Sequence, residues 1–143
     1  MKKILFAASE CVPFIKTGGL ADVVGSLPKS FDKEEYDVRV IIPKYMCIDQ
    51  KWKDQMTYID HFYMDLCWRK QYVGIMELEY EGVKIYFIDN EYYFGGEKPY
   101  SDARSDLEKF AFFSRAVLSA LPVIDFRPEV IHFPDLHTGL IPV

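Results

Sequence analysis

The sequence predicts an α/β fold: a Rossmann-like, mostly parallel sheet with helices on both faces. Residues Lys3–Ala8 form a short apolar run, which is typical of a central strand buried on both faces. Residues Leu20–Phe31 place apolar side chains three and four positions apart, as in an amphipathic helix, and Pro28 should kink or end it. Asp37–Pro43 is a second, β-branched strand. Strand, helix and strand in this order predict a right-handed crossover between parallel strands.

The middle of the chain predicts an antiparallel addition to this sheet. Apolar and glutamate residues alternate strictly over residues 76–81, so this strand should have one face in water. Gly82 should turn the chain into a further strand, Val83–Ile88, and residues Tyr58–Leu66 have the same character. We therefore expect a hairpin or meander beside the parallel strands.

A long amphipathic helix should follow. Ser105 and Glu108 have the spacing of a capping box at its start, and Pro122 should close it. The apolar stripe that predicts this helix consists of Leu107, Phe110, Ala111, Ser114, Val117, Leu118 and Leu121.

The C-terminal residues predict a strand at Glu129–His132 and the first residues of another helix from Gly139. The chain ends at Val143, as this helix begins. A domain that stops there leaves its sheet incompletely covered. We therefore expect residues 1–143 to be a truncated part of a longer protein.

Composition and charge exclude several classes of protein. Of 143 residues, 17 are Lys or Arg and 22 are Asp or Glu, and an acidic surface without basic clusters disfavours nucleic acid as a partner. Apolar runs are too short to cross a membrane, and Glu10 interrupts the N-terminal one, which argues against a signal peptide. Cys11, Cys47 and Cys67 lack the spacing of a zinc site, so we expect reduced thiols in a cytoplasmic protein.

The loop between the first strand and the first helix is the first candidate site. Lys16, Gly18 and Gly19 lie directly before the helix, where glycines let the backbone approach an anion and the lysine adds a positive charge. The segment matches neither a Walker A loop nor G-x-G-x-x-G. On these residues alone, an ordinary turn with a surface lysine is the more common explanation. Asp22, in the first helical turn, either complements the helix dipole or contacts a ligand.

The loop after the last strand is the second candidate site. His132, Asp135 and His137 could bind a metal, transfer protons or hold sugar hydroxyls. Alternatively, His132 is a core histidine and Asp135 caps the next helix. A third candidate is an aromatic loop that could stack sugar rings, although such residues are as often packing residues. It contains Tyr92, Tyr93, Phe94 and Tyr100.

Several segments together resemble one enzyme family. Residues 7–24 (AASECVPFIKTGGLADVV) are similar to the N-terminal signature of bacterial glycogen synthases and plant starch synthases, in which K-T-G-G-L-A-D-V follows the first strand. Four further segments match in the family's order, so the resemblance covers nearly the whole chain. They are 37–45 (DVRVIIPKY), 87–90 (FIDN), 109–115 (KFAFFSR) and 130–143 (VIHFPDLHTGLIPV).

The resemblance implies a GT-B glycosyltransferase with two Rossmann-like domains and an active site between them. Such an enzyme transfers glucose from ADP-glucose to the non-reducing end of an α-1,4-glucan with retention of configuration, without a metal or another cofactor. Residues 1–143 would be part of the N-terminal, acceptor-side domain, and the C-terminal donor-binding domain would be absent. The chain alone should then be inactive, and its oligomeric state stays undetermined.

The resemblance also implies roles for individual residues. Lys16 and Asp135 would be catalytic, the first by stabilising the diphosphate leaving group and the second by accepting hydrogen bonds from sugar hydroxyls. Where the family usually has a polar residue and a tryptophan beside this aspartate, the chain has Pro134 and Leu136. Donor binding would involve Lys16, Gly18, Gly19, Asp22 and Tyr100, and acceptor binding Glu10 and His137.

Two other classes compete with this enzyme. A stand-alone glucan- or nucleotide-binding module without catalysis is compatible with the same residues. A single-domain, metal-dependent transferase would need a D-x-D carboxylate pair after a strand, and the sequence contains no such triplet.

Overall fold

The computed structural model describes residues 2–16, 19–66, 69–95 and 103–133. A six-stranded mixed sheet in the order β3-β4-β5-β2-β1-β6 organises them. The strands are β1 (Lys2–Ala7), β2 (Tyr36–Pro43), β3 (Thr57–Leu66), β4 (Arg69–Tyr80), β5 (Val83–Asp89) and β6 (Val130–His132). The helices are α1 (Gly19–Ser26), α2 (Gln50–Lys53), α3 (Glu91–Phe94) and α4 (Ala103–Ala120), with a 3₁₀ turn at Leu27–Ser30.

The parallel part of the sheet confirms that β1 and β2 are parallel strands joined through a helix. β1 pairs in parallel with β2 on one side and β6 on the other, and β2 pairs in parallel with β5. α1 ends at Ser26, two residues before Pro28, and the chain continues as the 3₁₀ turn. Proline therefore ends the α-helix, because its ring clashes with the preceding turn and it has no N–H to donate.

The buried face of α1 differs from the predicted stripe. Among the predicted apolar positions Leu20, Val23, Val24, Leu27 and Phe31, Val24 is buried as expected, but Val23 is 49% exposed and Leu27 is 39% exposed. Ala21, which is not among them, is fully buried. The reason is a close approach between α1 and the preceding loop. A Cβ on Gly25 would lie 2.3 Å from Val12 Cγ2, so this side of the helix, rather than the one with the largest apolar residues, faces the protein.

The antiparallel meander is confirmed. β4 pairs antiparallel with both β3 and β5. It begins at Arg69, earlier than the alternating residues alone indicate, and extends over 12 residues. Glu81 and Gly82 both have positive φ, 50° and 81°, as a two-residue hairpin turn requires.

The long helix is confirmed, but its predicted capping box is wrong. α4 begins at Ala103, so Ser105 lies inside the first turn and cannot be the residue before the helix. Glu108 instead accepts a hydrogen bond from the Tyr93 hydroxyl at 2.9 Å. Leu107 and Leu118 are 63% and 42% exposed, so the predicted stripe is also shifted. The side chains buried from this helix are Lys109, Phe110, Phe112, Phe113, Ser114, Ala116, Val117 and Ala120.

Aromatic side chains pack edge-to-face in the core around the sheet. Phe14 lies edge-on to Trp52, Tyr80 and Phe87, with ring centroids 5.1–5.7 Å apart. Tyr93 stacks on Phe112 with centroids 4.6 Å apart and so joins α3 to α4. In the part of the chain that the structure describes, no helix is long and apolar enough to cross a membrane.

Candidate functional site

The loop that follows β1 is held at both of its ends. The Ala8 N–H donates to the Ile41 carbonyl at 3.2 Å and so continues the pairing of β1 with β2. The hydroxyl of Tyr45, a residue with 1% exposure, donates to the Ser9 carbonyl at 2.8 Å. These bonds fix the backbone at the carboxyl end of β1, where ligands bind in open α/β sheets.

Glu10 fixes the start of α1. It is 2% exposed, and its carboxylate accepts a hydrogen bond from the Ala21 N–H at 3.2 Å. The Val12 N–H donates in turn to the Ala21 carbonyl at 3.1 Å. Ala21 is the third residue of α1, so a carboxylate from the loop satisfies one of the free N–H groups of the helix and carries the charge that its dipole favours.

Lys16 and Asp22 meet above the first turn of α1. The Lys16 ammonium lies 2.7 Å from an Asp22 carboxylate oxygen, and their side chains are 53% and 55% exposed. Ion pairs this open to water contribute about 0–1 kcal/mol. The pair therefore holds the Lys16 ammonium beside the helix N-terminus. Because the pair is weak, a bound anion can replace Asp22 as the partner of this ammonium. Gly19 is the first residue of α1, and Gly18 lies outside the described residues.

The carboxyl ends of β2 and β5 lie next to each other. The Lys44 N–H donates to the Ile88 carbonyl at 2.8 Å, and the Lys44 ammonium lies 3.8 Å from the Asp89 carboxylate. Asn90 accepts from the Tyr93 N–H at 3.0 Å and donates to the Tyr72 carbonyl at 2.8 Å. Lys44, Asp89 and Asn90, with Phe94 and Gly95, line a small open cavity of about 90 Å³.

The predicted aromatic loop is largely a packing feature. Tyr93 and Phe94 are 6% and 2% exposed, and both contact Phe112. A sugar ring cannot stack on side chains that are buried in this way. Tyr92 is 65% exposed, and Tyr100 lies outside the described residues.

The second predicted loop is only partly described. His132 ends β6 at the edge of the sheet, where it is exposed and lies edge-on to Phe6 with ring centroids 5.1 Å apart. The interpretation of His132 as a core histidine is therefore wrong. Asp135 and His137 lie outside the described residues. Within the described ranges, no three His, Cys, Asp or Glu side chains are grouped closely enough to hold a metal ion.

The cysteines are not paired with each other where they are described. Cys11 and Cys47 are free thiols, the first buried and the second exposed, and Cys67 lies outside the described residues. Burial raises the pKa of the Cys11 thiol to about 12, although Lys29 acts in the opposite direction. Cys11 is therefore a neutral core residue directly beside Glu10.

Comparison with known proteins identifies the family. The starch synthase catalytic domain family matches residues 3–143. A glycogen synthase of Lachnospira eligens is 66% identical over 143 residues, which are 100% of this chain and 30% of that protein. A glycogen synthase of Anoxybacillus flavithermus is 54% identical over 140 residues, or 98% of this chain and 29% of that protein.

A solved structure has the same fold. The catalytic domain of Starch Synthase IV from Arabidopsis thaliana, bound to ADP and acarbose, superposes with a TM-score of 0.86 and 27% identity. The match covers 98% of this chain and 29% of that one. The chain thus spans about 30% of the length of the relatives it matches. On these similarities and on its mixed sheet, the chain belongs to the starch synthase catalytic domain family.

Proposed function

We propose that the chain is the acceptor-side part of a glycogen synthase, a retaining glucosyltransferase that uses ADP-glucose and extends an α-1,4-glucan. The observation that carries this proposal is the Lys16 ammonium, held 2.7 Å from Asp22 at the N-terminal turn of α1. The glycogen synthases that match the chain over its whole length support the choice of substrates. We further propose that residues 1–143 belong to the N-terminal domain and that the protein acts in the cytoplasm.

The chemistry of the proposed reaction explains the position of Lys16. Transfer breaks the bond between the anomeric carbon of glucose and an oxygen of the diphosphate, so negative charge grows on the diphosphate. A fixed ammonium and free N–H groups at a helix N-terminus stabilise that charge most where it develops. We assign this role to Lys16 together with the backbone of Gly18 and Gly19.

Asp22 is proposed to change its partner when the donor binds. The diphosphate carries more charge than one carboxylate, and the Lys16–Asp22 pair is about half exposed, so the diphosphate can take the ammonium. Asp22 is then free to accept hydrogen bonds from donor hydroxyls. Tyr100 is proposed to contact the donor as well.

The acceptor-side residues are proposed to act in two ways. Asp135 would accept hydrogen bonds from sugar hydroxyls near the reacting carbon, and His137 would contact the glucan. Glu10 is 2% exposed and bound to Ala21, so it would influence the acceptor path through the loop and the helix start that it fixes.

A kinetic comparison tests this function in the full-length protein, meaning the natural polypeptide that contains residues 1–143. We expect Lys16→Ala to lower kcat by about 10²-fold and to weaken ADP-glucose binding, as for removal of one group that stabilises a developing anion. Lys33→Ala is the matched control, because Lys33 is an exposed lysine before the amino end of β2. Unchanged kcat and donor affinity in Lys16→Ala would show that Lys16 is an ordinary surface lysine.

The second candidate is a glucan- or nucleotide-binding module without catalysis. The Lys16–Asp22 pair at the start of α1 favours it equally, because an ammonium at a helix N-terminus can bind a diphosphate without any transfer. One measurement distinguishes the two candidate functions, namely whether the full-length protein transfers labelled glucose from ADP-glucose to glycogen. Binding of ADP-glucose or maltoheptaose without any transfer would support the module and contradict the enzyme.

A further inference from the structure

β3 lies at one edge of the sheet, where β4 is its sole neighbour among the described strands. It is 10 residues long, Thr57–Leu66. Along such an edge, the N–H and C=O groups of every second residue point away from the sheet and can pair with another chain. Long edges are often protected by lysine or proline, and β3 contains neither. The outer side of β3 can therefore accept a further strand.

Residues 60–66 are the part of β3 that is regular enough to pair in this way. The register with β4 shifts between Tyr58 and Asp60, and a bulge of this kind disrupts pairing where it occurs. From Asp60 to Leu66 the register is unbroken. Tyr63 is the central residue of this regular segment.

Exposed aromatic side chains lie on one face of the segment. Tyr63 is 57% exposed and Tyr58 is 51% exposed. The His61 and Tyr72 rings each lie 5.9 Å from the Tyr63 ring between centroids, at interplanar angles of 89° and 71°. These rings form a ridge without a flat face, which suits contact with other protein side chains. Large apolar groups gathered in water indicate such a contact surface.

Charge and symmetry indicate which strand fits this edge. Two copies of residues 60–66, related by a two-fold axis at Tyr63, pair antiparallel over the whole regular segment. His61 of each copy then faces Asp65 of the other, and both side chains are exposed. The Tyr58 hydroxyl is hydrogen-bonded to His61 Nδ1, so His61 Nε2 is the nitrogen that can donate to the carboxylate. Asp60 would face Leu66, so no two carboxylates oppose each other.

The other face of the segment is apolar. Phe62 and Met64 are partly buried against the hydrophobic core. In the register centred on Tyr63, Phe62 of each copy faces Met64 of the other. The contact would remove more of both side chains from water and continue the core from one copy into the next.

We propose that the full-length protein forms a homodimer in which β3 pairs antiparallel with β3 of a second copy, on a two-fold axis at Tyr63. One sheet then runs through both copies. β4, β5 and β2 separate β3 from β1, so four spacings of about 4.8 Å keep this axis far from the loop that carries Lys16. Because one pair of strands buries less area than a standard protein interface, we expect a dissociation constant in the micromolar range.

Sedimentation velocity of the full-length protein over micromolar concentrations tests the dimer. We expect His61→Asp to weaken association about tenfold or more, since it places two carboxylates opposite each other at both ends of the pairing. His61→Lys is the matched control, because it removes the same ring but faces Asp65 with an opposite charge and should retain the dimer. Equal dissociation constants in these two variants would overturn the proposed register. A wild-type protein that stays monomeric throughout, with β3 covered by the rest of its own polypeptide, would overturn the dimer.

Disulfide trapping tests the position of the axis. In a Cys47→Ala/Cys67→Ala background, Tyr63→Cys places two thiols directly opposite each other, with Cα atoms about 4.5–5.5 Å apart, which a disulfide can span. Diamide should oxidise them to a covalent dimer. Tyr58→Cys is the control, because its two copies would lie about 30 Å apart along the paired strands and should not cross-link. Equal cross-linking of both variants, or of neither, would overturn the proposed axis.

Catalysis separates this proposal from the proposed function. Turnover of ADP-glucose should be the same in His61→Asp and in the wild type, because the interface lies away from Lys16. An inactive protein that still dimerises through β3 would contradict the enzyme and leave the interface intact. A loss of turnover in His61→Asp that accompanies dissociation would contradict an interface remote from the site.

Discussion

Glu10 is a carboxylate that a ligand cannot easily reach but that controls the position of α1. Because it is 2% exposed and accepts from the Ala21 N–H, its removal leaves a buried donor unsatisfied. We expect Glu10→Ala to raise the amide exchange rate of the α1 N-terminus about tenfold or more in the full-length protein. Glu10→Gln keeps an acceptor oxygen and should have a smaller effect.

Exchange measured by mass spectrometry on peptides that cover α1 can decide this point. Glu34→Ala is a suitable control, because Glu34 is exposed and lies just before β2. Equal protection of α1 in Glu10→Ala and the wild type would mean that the helix start does not depend on this carboxylate.

Cys11 should contribute to stability in a pH-dependent way. Burial raises its pKa from 9.0 to about 12, so the folded state favours the neutral thiol. The contribution is complete below pH 9 and is lost as the pH rises from 9 towards 12, because the unfolded chain releases the proton first. The difference in unfolding free energy between the wild type and Cys11→Ala should therefore shrink above pH 9.

Thiol labelling gives an independent test of the burial of Cys11. At pH 8, iodoacetamide should modify the exposed Cys47 and leave Cys11 unmodified until the protein is unfolded. Modification of both thiols at equal rates in the folded protein would contradict the buried position of Cys11.

At the scale of elements, the contact between α1 and the preceding loop positions the proposed anion site. A Cβ on Gly25 would lie 2.3 Å from Val12 Cγ2 and 2.9 Å from the Val12 carbonyl oxygen. Gly25→Ala should cost about 1–3 kcal/mol of stability by overpacking and should displace the helix that carries Asp22. We expect weaker ADP-glucose binding in the full-length variant.

Two further variants test whether the contact between Gly25 and Val12 causes the weaker ADP-glucose binding. Val12→Ala combined with Gly25→Ala removes Cγ2 but not the carbonyl, so it should recover part of the donor affinity. Ser30→Ala changes an exposed position in the following 3₁₀ turn and should leave that affinity unchanged. If Gly25→Ala itself binds ADP-glucose normally, the close approach does not position the site.

The elements also show what local sequence can and cannot predict. The order of β1, α1 and β2, the end of α1 before Pro28 and the turn at Gly82 follow from periodicity and backbone chemistry over a few residues. The buried faces of α1 and α4 do not, because apolar residues lie on more than one side of each helix. Tertiary contacts, such as Val12 against Gly25, choose the side that is buried.

In the candidate site, too, local spacing predicts some features, whereas others depend on contacts between residues far apart in the sequence. The spacing of Lys16, Gly19 and Asp22 predicts a charged group at a helix start, and the structure places the ammonium and the carboxylate 2.7 Å apart there. The bonds from Glu10 to Ala21 and from Tyr45 to Ser9 join residues 11 and 36 positions apart. Hydrophobic periodicity and residue spacing within one helix or strand do not predict contacts between residues this far apart.

In the whole molecule, the charged residues of both candidate regions follow parallel strands. Lys16 lies in the loop after β1, Lys44 follows β2, and Asp89 ends β5. Helix N-termini and these side chains therefore gather at the carboxyl edge of the sheet, as expected for open α/β proteins.

One side of a cleft is not sufficient for the proposed reaction. The Lys16 and Asp22 side chains are 53% and 55% exposed, and in water the attraction between an ammonium and a diphosphate is strongly weakened. Transfer of glucose requires the donor to be oriented and water to be excluded, and the chain spans only about 30% of its relatives' length. We therefore expect the 143-residue chain to transfer no labelled glucose from ADP-glucose to glycogen, whereas the full-length protein does. Amide protection of β1 and β2 in the isolated chain would establish that it is folded during the assay. Transfer by that folded chain at the full-length rate would show that the surface around Lys16 is a complete active site.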